Sequence, residues 1–397
     1  MDSRGHEMIK CKLSDICTIN PKDKVDDMLM KVSFVPMQGV SEDGVIDTSD
    51  IRIAAEVSKG FTSFMNGDVL MAKITPCMEN GKGAVVTGLF NNRGFGSTEF
   101  FVIRPDQSKA RSQWIYYYTT QKQFRLDCER NMTGSAGQKR VPKSYLENRE
   151  ILLPTLNEQD LAVQSLNQVK SIINMRKRQL QKLDELVKAR FVELFGDSEF
   201  NTMQWPTKKL SELCYVSSSK RIYQNEQSTE GVPFLRISDL NERIDNVKNA
   251  PELFIPMNKY NELKENGLVP AGGDILVTSR GTLGRCYIVR PEDEFYFQDG
   301  MISWLSDFNH QITNLYLSQL FTMSGIQKQI ASLQAGSTVA YLSISMLKKL
   351  NIMLPPLDLQ TQFGAFVEQV NKAKAAAQKA LDEAQLLFDS LMQKYFG

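Results

Sequence analysis

Apolar residues recur along this chain with two different periods, which divide it into four stretches. Short apolar runs bounded by turns fall at residues 32–35, 69–74, 84–86 and 100–103, and again at 233–237, 275–277, 286–289 and 301–305. Runs of that length suit buried strands. A helix is predicted after each set, around 113–123 and around 314–331. The other two stretches repeat every three or four residues, as one face of a helix does. In the first, Leu161, Leu166, Val169, Ile173, Leu180, Leu183, Leu186, Val187, Phe191 and Leu194 form the stripe. In the second it is Phe363, Phe366, Val370, Ala373, Ala377, Ala380, Leu381, Ala384, Leu387, Phe388 and Leu391. Asn157 and Asp358, just past prolines, are the expected N-caps. About 37 helical residues at ~1.5 Å each give a rod about 55 Å long.

The two halves repeat each other. Lys12-Leu13-Ser14-Asp15-Ile16-Cys17 returns as Lys209-Leu210-Ser211-Glu212-Leu213-Cys214, and Gly67-Asp68-Val69-Leu70 as Gly273-Asp274-Ile275-Leu276. Gly134-Ser135 matches Gly336-Ser337, and Leu152-Leu153-Pro154 matches Met353-Leu354-Pro355. Both halves stop at Phe-Gly, Phe195-Gly196 and Phe396-Gly397. The offset runs from 197 at Lys12 to 206 at Gly67 and settles at 201 or 202 from Gly134 onward. Two long repeats imply a pseudo-dimer on one chain, where a solenoid would show many short ones. The expected fold class is α+β, with globular parts at 1–155 and 197–356, each followed by a long helix, at 156–196 and 357–397. Ala373, Ala375, Ala376, Ala377 and Ala380 suit close approach of a second helix, so the two helices are expected to pair as an antiparallel coiled coil. The alternative is that each docks on its own globular part.

Composition narrows the function. Hydrophobic content of 42% and charged content of 23% are those of an ordinary soluble protein. No apolar run reaches the ~20 residues of a membrane span, and the first ten residues are too polar for a signal peptide. A soluble cytoplasmic protein is expected. Cys11, Cys17, Cys77, Cys128, Cys214 and Cys286 form no C-x-x-C pair, so reduced thiols are expected. The net charge of +1 gives no overall attraction to nucleic acid, but charge is unevenly spread. From Lys170 to Arg190, the seven basic residues Lys170, Arg176, Lys177, Arg178, Lys182, Lys188 and Arg190 outnumber Asp184 and Glu185, whereas Glu42, Asp43 and Asp50, and Glu292, Asp293 and Glu294, gather elsewhere. That basic stripe suits either a DNA backbone or a solvated, partner-facing surface.

Catalytic constellations are missing. His6 and His310 are the only histidines, too few for a histidine triad and a poor basis for a zinc site. Gly81-Lys82 lacks the rest of a P-loop, and Gly94-Phe95-Gly96 lacks the third glycine of a dinucleotide fingerprint. Leu354-Pro355-Pro356-Leu357 lacks the polar residue and aromatic of an adenine-methyltransferase loop. Glu262-Leu263-Lys264 has a nuclease-like spacing that an ordinary helix surface explains better. Tyr116, Tyr117 and Tyr118 read as core and rim rather than as a base-stacking platform.

Duplicated α+β domains, each followed by a better-matched helix, resemble the specificity subunit (HsdS) of type I restriction-modification systems. The segments Ala72-Lys73-Ile74-Thr75-Pro76-Cys77-Met78-Glu79-Asn80-Gly81-Lys82 and Gly96-Ser97-Thr98-Glu99-Phe100 carry this resemblance, as do Asn157-Glu158-Gln159 and its echo Asp358-Leu359-Gln360. It implies two target-recognition domains, each reading one half of a split, asymmetric site in double-stranded DNA, with the helices setting the gap. It implies no catalytic centre and no cofactor in this chain. Two modification subunits (HsdM) would bring S-adenosylmethionine and methylate adenine N6; restriction subunits (HsdR) would add ATP- and Mg-dependent cleavage. Arg and Lys can donate to guanine, Asn and Gln can pair with adenine, and Ser or Thr can serve either. The candidate DNA-contacting residues are therefore Lys73, Thr75, Asn80, Lys82, Arg93, Gln138, Lys139 and Arg140 in the first half. In the second they are Lys220, Arg221, Ser279, Arg280, Thr282, Arg285 and Thr338. The loop 278–285 differs from 73–82, as two readers of different half-sites should. The rival classes are a stand-alone metal-dependent nuclease with an unrecognised centre, and a coiled-coil scaffold with protein-binding ends.

Overall fold

The computed structural model describes residues 9–135, 137–247, 249–334 and 340–397. They divide into two compact units, one running to Lys177 and including Lys379–Gly397, the other Arg178–Gln378. Each unit therefore holds one globular part and a segment of both long helices.

In the first unit, a four-stranded antiparallel sheet has the order Cys17–Ile19, Phe100–Pro105, Val69–Ala72, Gly83–Val85. Its central pair runs in register from Val69 opposite Ile103 to Ala72 opposite Phe100. Side chains alternate faces along a strand, and both faces are covered here. Val69, Met71, Phe101 and Ile103 meet Trp114, Tyr117 and Phe124, whereas Leu70, Ala72, Phe100 and Val102 meet Val35 and Phe64. Burial on both sides is why the sequence shows an unbroken apolar run rather than alternation. A second sheet orders Ile51–Ile53, Lys31–Val35, Gly94–Gly96 and Thr62–Phe64. The glycines at 94 and 96 make room for the Phe64 ring, into which a Cβ at Gly94 would run.

The second unit repeats the plan. Its four-stranded sheet is ordered Tyr215–Ser217, Ile302–Ser306, Ile275–Thr278, Cys286–Ile288. Ile275 lies opposite Leu305 and Thr278 opposite Ile302. A three-stranded sheet, Phe254–Ile255, Val232–Leu235 and Tyr296–Phe297, takes the place of the second sheet. The helices predicted around 113–123 and 314–331 are each two: Ser112–Thr120 with Lys122–Arg130, and Asn314–Phe321 with Ser324–Leu333. Threonine hydroxyls at the breaks, on Thr119, Thr120 and Thr322, bond back to carbonyls three residues earlier and close the first helix of each pair.

Both long helices run 40 residues, Leu156–Phe195 and Leu357–Phe396. The caps expected at Asn157 and Asp358 are not there, because both residues already lie inside the first turn. Thr155 precedes the first helix as its cap, in a reciprocal pair with Glu158: the carboxylate accepts the Thr155 N–H at 2.9 Å, and the Thr155 hydroxyl accepts the Glu158 N–H at 3.4 Å. One position further, a glutamine does the same work in each unit. Gln159 donates to the carbonyls of Pro154 (2.9 Å) and Lys109 (3.0 Å) and accepts from the Arg111 N–H (2.9 Å). Gln360 donates to Pro355 and Gln311 and accepts from Thr313, all at 2.9 Å. Both side chains are fully buried.

The helices pack on each other within each unit. In the first, Val169 and Ile173 meet Leu381, Ala384, Phe388 and Leu391, and Phe396 reaches the Trp114 ring at 5.5 Å. In the second, Asp184 pairs with Lys374 at 2.6 Å, Arg190 lies over Phe366, and Phe191 meets Phe363 at 5.5 Å. Numbers fall on one helix as they rise on the other, so the packing is antiparallel. The first long helix also docks on globular parts: the Tyr117 hydroxyl of the part it follows donates to Asn167 at 2.6 Å, and Phe191 stacks on Tyr316 of the second globular part. Of the alanine run only Ala377 is buried; Ala373, Ala375 and Ala376 are exposed.

Replacing Gln159 or Gln360 by Leu should cost about 3 kcal/mol or more, because each buried backbone group left without a partner costs about 1–3 kcal/mol and three lose theirs. Denaturant unfolding measures this, and a loss below about 0.5 kcal/mol, the scale of a neutral surface change, would contradict it.

Candidate nucleic-acid interface

Six of the candidate residues, Lys73, Thr75, Lys139 and Arg140 in the first unit and Ser279 and Arg280 in the second, meet where the loop after a central strand joins the chain returning toward the long helix. In the first unit Lys73 N–H donates to Glu99 O (2.9 Å), Val141 N–H to Lys73 O (2.9 Å) and Thr75 N–H to Lys139 O (3.1 Å), and Ile74 bridges Arg140. In the second, Ser279 N–H donates to Met301 O (2.8 Å) and Leu342 N–H to Ser279 O (3.0 Å), and Arg280 bridges Tyr341. The backbone frame is the same. It equates Lys73 with Ser279, Ile74 with Arg280, Glu99 with Met301 and Arg140 with Tyr341.

Side chains on that frame differ. In the first unit the Arg140 guanidinium donates from Nε (2.9 Å) and Nη2 (2.8 Å) to the Glu99 carboxylate and from Nη1 to Gln138 O (2.9 Å). Lys73 lies over the Phe101 ring. Thr75 donates to Glu79 (2.7 Å), Asn80, Gln138 and Lys139 are exposed, and the Lys82 ammonium reaches Met37 O at 3.5 Å. Gly134, at φ +124, makes the turn that presents Gln138 and Lys139; a Cβ there would come within 2.9 Å of Gln138 O. In the second unit Arg280 is exposed with its guanidinium 5.5 Å over the Tyr341 ring, and Thr282 is exposed. Lys220 is exposed, and Arg221 pairs with Asp299 at 2.8 Å. Thr338, and with it the Gly336-Ser337 match, lies outside the described residues.

Three expectations need correction. The Ser279 side chain is buried and shares a hydrogen bond with Ser303 (2.8 Å), so its hydroxyl faces the core. Arg93 belongs to a different group: it sits 3.2 Å from Asp23, which Arg104 also grips together with the buried Asp68. The Arg104 hydrogen bonds hold the Asp23 carboxyl below the usual range against the opposing effect of burial. Arg285 is occupied by Asp245 and by Asn241 at 2.9 Å. The basic stripe also loses a member, because Lys170 lies over the Tyr116 and Tyr117 rings, where burial lowers its pKa. Tyr116, Tyr117 and Tyr118 are core, as expected. Glu262 and Lys264 lie on the helix Met257–Glu265, whose Leu263 is buried. No group of three His, Cys, Asp or Glu side chains that could hold a metal ion occurs among the described residues.

Glu99 was not among the candidates, because an acidic residue is not an obvious partner for DNA. Its carboxyl is held below the usual glutamate range, chiefly by the Arg140 hydrogen bonds, with burial opposing. A lowered carboxyl pKa means that the pair's stabilisation is complete above the unfolded glutamate's pKa and is lost as pH falls through the folded one. Arg140→Ala should therefore move the Glu99 titration to higher pH, as a carbon-detected NMR titration would record; an unmoved Glu99 would contradict the pairing.

The model of the type I restriction modification DNA specificity domain matches this chain twice, at residues 6–185 and 203–384. The chain is 42% identical over 175 residues to the EcoEI type I restriction enzyme specificity subunit of Escherichia coli, and 40% identical over 175 residues to the EcoAI specificity subunit. These matches span 43% of this chain but only 29% and 30% of those proteins. In fold, it is similar to the type I restriction-modification S subunit from M. genitalium, with a TM-score of 0.59 at 16% identity over 100% of this chain and 98% of that one. A chain from a structural study of type I R-M complex assembly and conformational transition aligns with a TM-score of 0.53 at 16% identity, over 98% of this chain and 97% of that one. No helix among the described residues is long and apolar enough to cross a membrane. With both halves matched and the fold shared from end to end, the chain belongs to the family of type I restriction-modification DNA specificity domains, of which it carries two in tandem.

Proposed function

We propose that this chain is the sequence-reading subunit of a type I restriction-modification assembly. Each globular part reads one half of a split, asymmetric DNA site, and the chain contributes no catalytic centre. The observation that carries this reading is one backbone frame built twice and furnished with different side chains, Lys73, Glu99 and Arg140 against Ser279, Met301 and Tyr341. A shared frame keeps two readers in the same stance toward a duplex, and different side chains on it give them different sequences to read.

Two modification subunits supply the chemistry in this reading, carrying S-adenosylmethionine and methylating adenine N6. Restriction subunits with ATP and Mg join where the system cleaves DNA. The near-neutral charge of +1 fits a subunit that shares phosphate contacts with its partners. Binding by the chain alone is then weak and falls steeply with salt, and the assembled complex binds tightly in the cytoplasm.

Adenine methylation is mapped in cells carrying the chain with its modification subunits, and again with residues 220–340 exchanged for the corresponding segment of another family member. A split motif should appear, and only one half should change after the exchange. Methylation that never depends on this chain would defeat the reading.

A further inference from the structure

We infer that Arg140 and Arg280 are the guanine-reading side chains of the two halves, each restrained by a neighbour, Glu99 for Arg140 and Tyr341 for Arg280. This rests on the DNA-reading role proposed above and assigns its key contacts. The Ile74–Arg140 bridge of the first unit corresponds to the Arg280–Tyr341 bridge of the second, since the same two backbone hydrogen bonds, through Lys73 and through Ser279, adjoin them. One guanidinium rises from each bridge, but from opposite members of it. Bridged residues have Cβ atoms only ~5 Å apart on one face, so the two arginines leave the frame from nearly the same place.

The neighbours orient the guanidinium by different physics. Arg has five N–H donors. Glu99 and Gln138 O engage three of those on Arg140, which leaves two for a bidentate pair with guanine O6 and N7. The Glu99 carboxylate also cancels most of the charge that would draw Arg140 to a phosphate, so a base edge suits this pair better. The Tyr341 ring instead lies under the Arg280 guanidinium, 5.5 Å from it, a cation–π contact that restrains the side chain without using a donor. Among the described residues the Arg280 guanidinium has no hydrogen-bond partner, so none of its donors is spent on them. Glu99 and Tyr341 are positioning residues here.

The test compares adenine-methylation maps for the full chain, expressed with its modification subunits, and for the variants R140K, R280K and E99Q. Lysine keeps the positive charge, so a phosphate contact survives the substitution and a bidentate base contact does not. R140K should relax one G·C pair in one half of the motif, and R280K one pair in the other half. Discrimination at each should fall about tenfold to a hundredfold. E99Q should relax the same pair as R140K and leave the other half unchanged, a pattern that a merely structural role would not produce. Full discrimination retained in R140K and R280K, a uniform loss at all sites, or a half-site without a G·C pair would overturn the assignment. If the unmodified chain yields no split motif, the DNA-reading role itself fails, an outcome distinct from these.

Discussion

A glutamine amide buried at the start of each long helix is the constraint on which the rest depends. Gln159 and Gln360 each bind two carbonyls and one N–H from segments that the chain would otherwise leave apart. The N–H they accept, from Arg111 or Thr313, belongs to the residue that begins a helix of the globular part, one of the backbone donors a helix cannot satisfy itself. An amide taken out of water is tolerated only when its donors and acceptor are all used, and here they are. The start of the long helix is thereby fixed against the sheet and its covering helix in the same way twice.

From that fixed start, aromatic packing carries order along the helices. Phe191, Phe195, Phe363 and Tyr316 form one cluster of rings 4.8–5.6 Å apart. Trp114, Tyr117, Tyr118, Phe388 and Phe396 form the other. The sheets stand on these clusters, and the loops beyond them are free to diverge. Divergence is visible even where the sequence repeats. Asp68 receives a guanidinium from Arg104, whereas its counterpart Asp274 receives the Trp304 indole N–H at 2.8 Å, and burial raises the Asp274 carboxyl.

What the sequence made legible follows from the scale of each signal. A helix of 40 residues repeats its apolar stripe often enough to be unmistakable, and a repeat of whole domains survives drift in offset. Strands such as Cys17–Ile19 and Thr62–Phe64, three residues each, are too short to show a period. The cap at Thr155 had a signal, since Thr155 and Glu158 stand at capping-box spacing. The interface was harder to read. A loop Arg or Ser looks the same in sequence whether it faces solvent or, like Arg93, Arg285 and Ser279, is spent on a partner within the fold. Glu99 was hidden for the converse reason, because its value lies in what it does to Arg140.

The central claim is that one frame, built twice, presents different side chains to two halves of a DNA site. It is tested most directly by a structure of this chain, with its modification subunits, on a duplex carrying its methylated sequence. The account predicts the Arg140 and Arg280 guanidinium groups on guanine edges in opposite half-sites, each still held by Glu99 or Tyr341. A complex in which both bridges face away from the duplex would contradict it.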